Sequence, residues 1–187
     1  MSLLGTVKNY LKGWLNDGQR QRLRDLGSPL LCWFYRKDIK ALATLFGSDK
    51  WNDHWYAKHY ETHFHKLRTQ PIHILEIGVG GYDDPTRGGA SLRMWKSYFR
   101  RGQIFGLDLH EKSGLQESRI TIFQGSQADP ECLLGIVETL KQLDIVIDDG
   151  SHINSHVITS FECLFPQLVA GGLYVVEDTQ TSYLKEY

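Results

Sequence analysis

From residue 72 onward the chain carries five short apolar runs, at residues 72–79, 104–109, 120–123, 145–147 and 173–176, several of them near-continuous Ile, Leu and Val. Unbroken apolar strands suit a parallel sheet covered on both faces. A half-wet antiparallel sheet would instead alternate apolar and polar side chains. Between the runs the spacing changes to that of helices. Leu92, Trp95 and Phe99 share one helical face within 89–99, as do Leu133, Ile136, Val137 and Leu140 within 130–142, and Val157, Phe161, Leu164 and Leu168 within 154–168. Alternating strand and helix predicts an α/β fold with a doubly wound parallel sheet over residues 71–187. Ligands in such sheets bind beyond the carboxyl ends of the strands, where the strand order reverses.

Residues 1–70 read as a separate helical region, a lid or an oligomerisation element. Leu3, Val7, Leu11 and Trp14 recur at helical spacing. The run Leu30-Leu31-Cys32-Trp33-Phe34-Tyr35 fits helix or strand equally, and a further helix is expected over about 53–68. The first fifty residues hold nine Lys or Arg against four Asp, which a solvated helical face explains as well as an anion-steering patch does.

The 187-residue chain has a net charge of −1, so no overall basic field points to nucleic acid. No apolar run approaches the roughly 20 residues of a membrane span. Three separated cysteines indicate neither a disulfide framework nor a zinc ribbon, and a reducing cytoplasm is the expected compartment.

The first predicted strand runs into Glu76-Ile77-Gly78-Val79-Gly80-Gly81, a turn whose glycines let the backbone approach a ligand closely. A dinucleotide fingerprint would need a third glycine where this chain has Asp83, and the acidic Tyr82-Asp83-Asp84 would repel a pyrophosphate. A nicotinamide oxidoreductase is therefore disfavoured. Glu76 suits a cationic ligand such as the sulfonium and ammonium of S-adenosylmethionine. Asp108, at the end of the second strand, can accept hydrogen bonds from both ribose hydroxyls.

A second group of acids closes the fourth strand, Asp148-Asp149-Gly150-Ser151-His152, and the fifth, Glu177-Asp178. If these strands are neighbours, Asp149 and Asp178 converge, and a cation must relieve their repulsion. Hard oxygen ligands favour Mg²⁺. His152 is placed to act as a general base on a cation-bound hydroxyl. The competing reading makes Asp149-Gly150 a plain turn and His152 a surface residue. His59 and His63 share a helical face but lack an evident third ligand, so packing is the expectation there.

The stretches Leu75-Glu76-Ile77-Gly78-Val79-Gly80-Gly81-Tyr82, Thr86-Arg87-Gly88-Gly89-Ala90-Ser91-Leu92-Arg93-Met94-Trp95, Ile147-Asp148-Asp149-Gly150-Ser151-His152 and Val176-Glu177-Asp178 resemble the macrolide sugar O-methyltransferases, the mycinamicin and macrocin O-methyltransferase family, over about residues 45–187. The resemblance implies a Rossmann-like class I methyltransferase fold, S-adenosylmethionine and Mg²⁺ as cofactors, and a sugar hydroxyl in antibiotic biosynthesis as acceptor. It implies metal ligation by Asp149, Glu177 and Asp178, and His152 as base. Glu76, Gly78, Gly80, Ser91, Asp108, Gln127 and Asp148 are implied for the cofactor site. Ser126 stands where an acid facing the adenine is expected. The seven-stranded fold also needs about two strands beyond Tyr187, and without them self-association or weak activity is expected. The rival from another class is a catalytically inactive, methyltransferase-like binding module.

Overall fold

A computed structural model describes residues 29–184. The expected helix through Leu3, Val7, Leu11 and Trp14 lies outside them. The undecided apolar run becomes helix α1 (Pro29–Tyr35), which leaves Leu30, Trp33 and Phe34 exposed. Helix α2 (Ile39–Phe46) starts where Asp38 accepts a hydrogen bond from the Ala41 backbone N–H at 2.9 Å, and ends at Gly47 in the left-handed conformation. Helix α3 (Ala57–Phe64) is shorter than the expected 53–68. Asn52 and Trp55 both have positive φ, which breaks the helical path before α3 begins.

The strands follow as β1 (His73–Ile77), β2 (Gln103–Asp108), β3 (Ile120–Gln124), β4 (Ile145–Asp148) and β5 (Leu173–Val176). Helices α4 (Ala90–Tyr98), α5 (Pro130–Leu140) and α6 (Asn154–Leu164) lie between them. All pairings are parallel, in the order β3-β2-β1-β4-β5. The order reverses between β1 and β4, so the switch point falls at the carboxyl ends of these strands, beside Glu76 in β1 and Asp149 just after β4. This is the Rossmann-like doubly wound sheet expected from the sequence.

Each face of the sheet has its own core. Ile74, Ile104, Ile120, Ile122, Ile145 and Ile147 pack with Leu42, Phe64, Trp95 and Phe99 of the α2–α4 layer. Leu75, Ile77, Leu107 and Val146 pack with Leu133, Ile136, Leu140 and Leu164 of the α5–α6 layer. Successive side chains of a strand point to opposite faces. Glu76 therefore shares the face of Ile74, Asp149 continues that of Ile147, and Glu177 continues that of Val175. Glu76, Ile147 and Val175 are register partners, so three acids emerge on one side at neighbouring strand ends.

Candidate active site

A cleft of about 940 Å³ opens at the switch point. Its walls include Gly78, Gly80, Ser91, Asp108 and Gln127, together with Asp149, His152 and Asp178. Gly78 is required by its surroundings. Its φ is +91°, and a Cβ there would lie 2.0 Å from the Asp149 carbonyl oxygen. A Cβ on Gly80 would meet nothing within 4 Å, so the bare backbone faces the open cleft. Asp108 braces this turn. Its Oδ2 accepts from the Val79 backbone N–H and its Oδ1 from that of His110, both at 2.9 Å. Each oxygen keeps a further lone pair for a ligand hydroxyl.

Asp149, His152 and Asp178 form the acidic group at the cleft rim. One ligand atom from each lies within 4.8 Å of the others. His152 Nε2 stands 3.9 Å from Asp149 Oδ1 and 3.8 Å from Asp178 Oδ2. His152 and Asp178 both adopt positive φ, 57° and 52°. Such backbone costs about 1–3 kcal/mol per residue and persists only where the surroundings enforce it. For Asp178 the enforcement is visible. The Tyr56 hydroxyl donates to Asp178 Oδ1 at 2.8 Å and accepts from the Asp178 backbone N–H at 3.1 Å. Burial would raise the Asp178 carboxyl, but Tyr56, His54, Gln180 and His152 together hold it below the usual carboxylate range.

Behind the rim sits a cation that sequence reasoning missed. Lys50 is fully buried. Its Nζ lies 2.7 Å from Glu177 Oε1, 2.8 Å from Asp149 Oδ2 and 3.1 Å from Glu76 Oε1. Burial alone would pull its pKa down, but the three carboxylates push it well above the ordinary lysine value. Burial lifts Glu76 to about 7 and Glu177 to about 8, in both cases against the attraction of Lys50. Tyr60 also donates to Glu177, and Trp95 Nε1 donates to Glu76 Oε2 at 3.1 Å. Glu76 and Glu177 are thus internal and do not line the cleft. Ser91, which does line it, hydrogen-bonds to Glu76.

Asp148 takes the opposite face of β4 and is also buried, with a raised pKa caused by burial. Gln127 Nε2 reaches both of its oxygens, at 3.1 and 3.3 Å, and the Ser160 hydroxyl donates to Oδ2. Gln127 Oε1 accepts from the Ser151 backbone N–H at 2.7 Å. This chain of bonds ties α6 and the loop after β3 to the loop that carries Asp149 and His152. His59 and His63 line a separate cavity of about 400 Å³ beside β5, whose lining includes Tyr56 and Glu177 but none of Asp149, His152 and Asp178.

Lys50, Tyr56, Tyr60 and Ser160 carry no local motif. The nearest acid to Lys50 in this cluster, Glu76, is 26 positions away along the chain, and the other two are farther. Trp95, as an apolar helix position, and Tyr56 and Tyr60, as aromatics of the expected 53–68 helix, had a signal, and it pointed to packing.

A parallel five-stranded sheet with a glycine turn after β1, an acid closing β2 and an acidic group at the β4 and β5 ends is the class I methyltransferase architecture. No family model matches the chain. Curated relatives do. The chain is 53% identical over 150 residues to an 8-demethyl-8-alpha-L-rhamnosyl tetracenomycin-C 2'-O-methyltransferase of Streptomyces olivaceus, a match covering 79% of this chain and 40% of that protein. It is 51% identical over 153 residues to a mycinamicin VI 2''-O-methyltransferase of Micromonospora griseorubida, covering 81% and 38%. A crystal structure of MycE, a methyltransferase of mycinamycin biosynthesis in complex with Mg and SAH, superposes with a TM-score of 0.77 at 52% identity, over 79% of this chain and 41% of that one. The chain is a relative of the macrolide sugar O-methyltransferases and spans about two fifths of the length of the curated relatives it matches.

Proposed function

We propose that this chain forms the cofactor- and cation-binding part of an S-adenosylmethionine-dependent, Mg²⁺-assisted sugar O-methyltransferase. One observation carries the reading: the glycine turn, Asp108 and the Asp149–His152–Asp178 group line a single cleft, so a nucleoside and a cation-bound hydroxyl can meet there. The residues fit both groups. Gly80 leaves room for close approach, and the rim offers the hard oxygen donors that suit Mg²⁺. Relatives that methylate sugars, and the Mg and SAH bound to MycE, support the same assignment.

When bound, S-adenosylmethionine supplies an electrophilic methyl group and Mg²⁺ lowers the pKa of the acceptor hydroxyl. The chain's own residues do the rest. Gly78, Gly80, Ser91 and Gln127 shape the cofactor wall, and Asp108 would accept from the ribose hydroxyls. Glu76 and Asp148 support that wall from behind. Asp149 and Asp178 hold the cation. Glu177 is the remaining carboxylate of the expected ligand set, with Oε1 committed to Lys50 and Tyr60. His152 Nε2, 3.9 and 3.8 Å from the Asp149 and Asp178 oxygens, is placed to take the proton of a hydroxyl held at this group. The acceptor is a hydroxyl of a glycoside or similar small natural product. Among the described residues no helix is long and apolar enough to cross a membrane.

The test is calorimetric titration with S-adenosylhomocysteine and with Mg²⁺, followed by labelled methyl transfer to glycoside acceptors with and without EDTA. Saturable binding of both, and transfer abolished by EDTA, is the expected result. Full transfer in EDTA would remove the cation from the mechanism. Cofactor binding without transfer to any hydroxyl would favour a binding module.

A further inference from the structure

Each cation-facing carboxylate has one oxygen already engaged by a donor from the segment between α2 and α3, and a donor on one oxygen favours single-oxygen metal binding through the other. Asp149 Oδ2 is held by Lys50 at 2.8 Å, and Asp178 Oδ1 by Tyr56 at 2.8 Å with His54 Nδ1 at 3.3 Å. The oxygens left toward the shared point are Asp149 Oδ1 and Asp178 Oδ2, the two that face His152 Nε2. Lys50 is anchored on its far side by Glu76 and Glu177, so it cannot swing away without stranding two buried acids. Tyr56 is anchored by the reciprocal bond from the Asp178 backbone N–H.

We infer that Lys50 and Tyr56 set the cation specificity of this site by restricting Asp149 and Asp178 to one oxygen each. The inference rests on the reading that this site holds Mg²⁺. Ca²⁺ takes six to eight oxygens in flexible geometry and gains from carboxylates that bind through both oxygens. Mg²⁺ demands near-octahedral geometry, binds through one or two carboxylates and retains several waters. Two single-oxygen carboxylates match the second habit and deprive the first of ligands. The same two side chains lock the direction in which each remaining oxygen points, a condition for the narrow geometry of Mg²⁺. They are positioning and selectivity residues, and neither lines the cleft.

The test measures Mg²⁺ and Ca²⁺ affinities separately by calorimetry on the folded protein, without cofactor or acceptor, for the wild type, Tyr56→Phe and Lys50→Met. The wild type should prefer Mg²⁺. Tyr56→Phe removes the bond to Oδ1 while keeping the ring, and should lower the Mg²⁺-to-Ca²⁺ affinity ratio by about tenfold, in the range seen when partners of metal ligands are removed. Lys50→Met should move the ratio in the same direction. If Lys50→Met does not fold, Tyr56→Phe decides alone. A ratio unchanged in Tyr56→Phe, with both affinities falling in step, overturns the inference and leaves the Mg²⁺ reading intact. Absence of saturable divalent binding by the wild type overturns the Mg²⁺ reading itself, and this inference with it.

Discussion

Replacing Lys50 by Met should be among the most damaging single changes available in this chain. The methionine fills similar volume, so the packing loss is small and the effect is electrostatic. Three carboxylates lie within 3.1 Å of the ammonium, and Lys50, Glu76 and Glu177 are buried. Removing one partner of a buried ion pair leaves an uncompensated charge and typically costs about 3–5 kcal/mol. At about 2–4 °C per kcal/mol for a domain of this size, the melting temperature should drop by about 6–20 °C. The loss should depend on pH. In the wild type Glu76 and Glu177 already titrate near 7 and 8, above their unfolded value of 4.5. A carboxyl with a raised folded pKa binds more protons folded than unfolded, so its contribution is present below about 4.5 and is lost as pH rises through the folded pKa. Without Lys50 both values rise further, so the variant's deficit should be small near pH 5 and grow toward pH 8. Urea titrations of wild type and variant at pH 5, 6.5 and 8 would measure this. Equal midpoints at pH 8 would mean the three acids are solvated and that no buried cluster exists.

Asp108→Ala should weaken S-adenosylhomocysteine binding by about 1.5–3 kcal/mol for each ribose hydrogen bond lost, measured by calorimetry with thermal stability checked in parallel, and unchanged affinity would remove Asp108 from the cofactor site. His152→Ala should slow the chemical step by about 10²–10⁴-fold while leaving S-adenosylhomocysteine affinity in place, and single-turnover transfer at wild-type rate would show that another group takes the proton. β5 is an outer strand among the described residues, and its four residues are only partly buried. Such an edge invites pairing with another chain, so light scattering should show concentration-dependent self-association, and a clean monomer across the series would show the edge to be covered.

The strands were legible because burial on both faces leaves an unmistakable apolar run, and the acids at their ends were legible because the run stops at them. Asp108, Asp149, His152 and Asp178 could be placed at strand ends from residue order alone. Two things could not be read there. One was which acids face the cleft. Alternation along β4 sends Asp148 to the α5–α6 side, where Gln127 and Ser160 hold it, and Asp149 to the α2–α4 side. That assignment needs the sheet's orientation, which is a property of the packed layers. The other was Lys50. A lysine between Asp49 and Trp51 has the local signature of a solvated side chain, and nothing near it marks it as internal. Its burial follows only when α2 and the turn after it are laid across the ends of β1, β4 and β5, where three acids up to 127 positions away converge on one ammonium. Local order determined where the charges leave the sheet; the packing of the helical layer decided which of them meet water and which are neutralised inside.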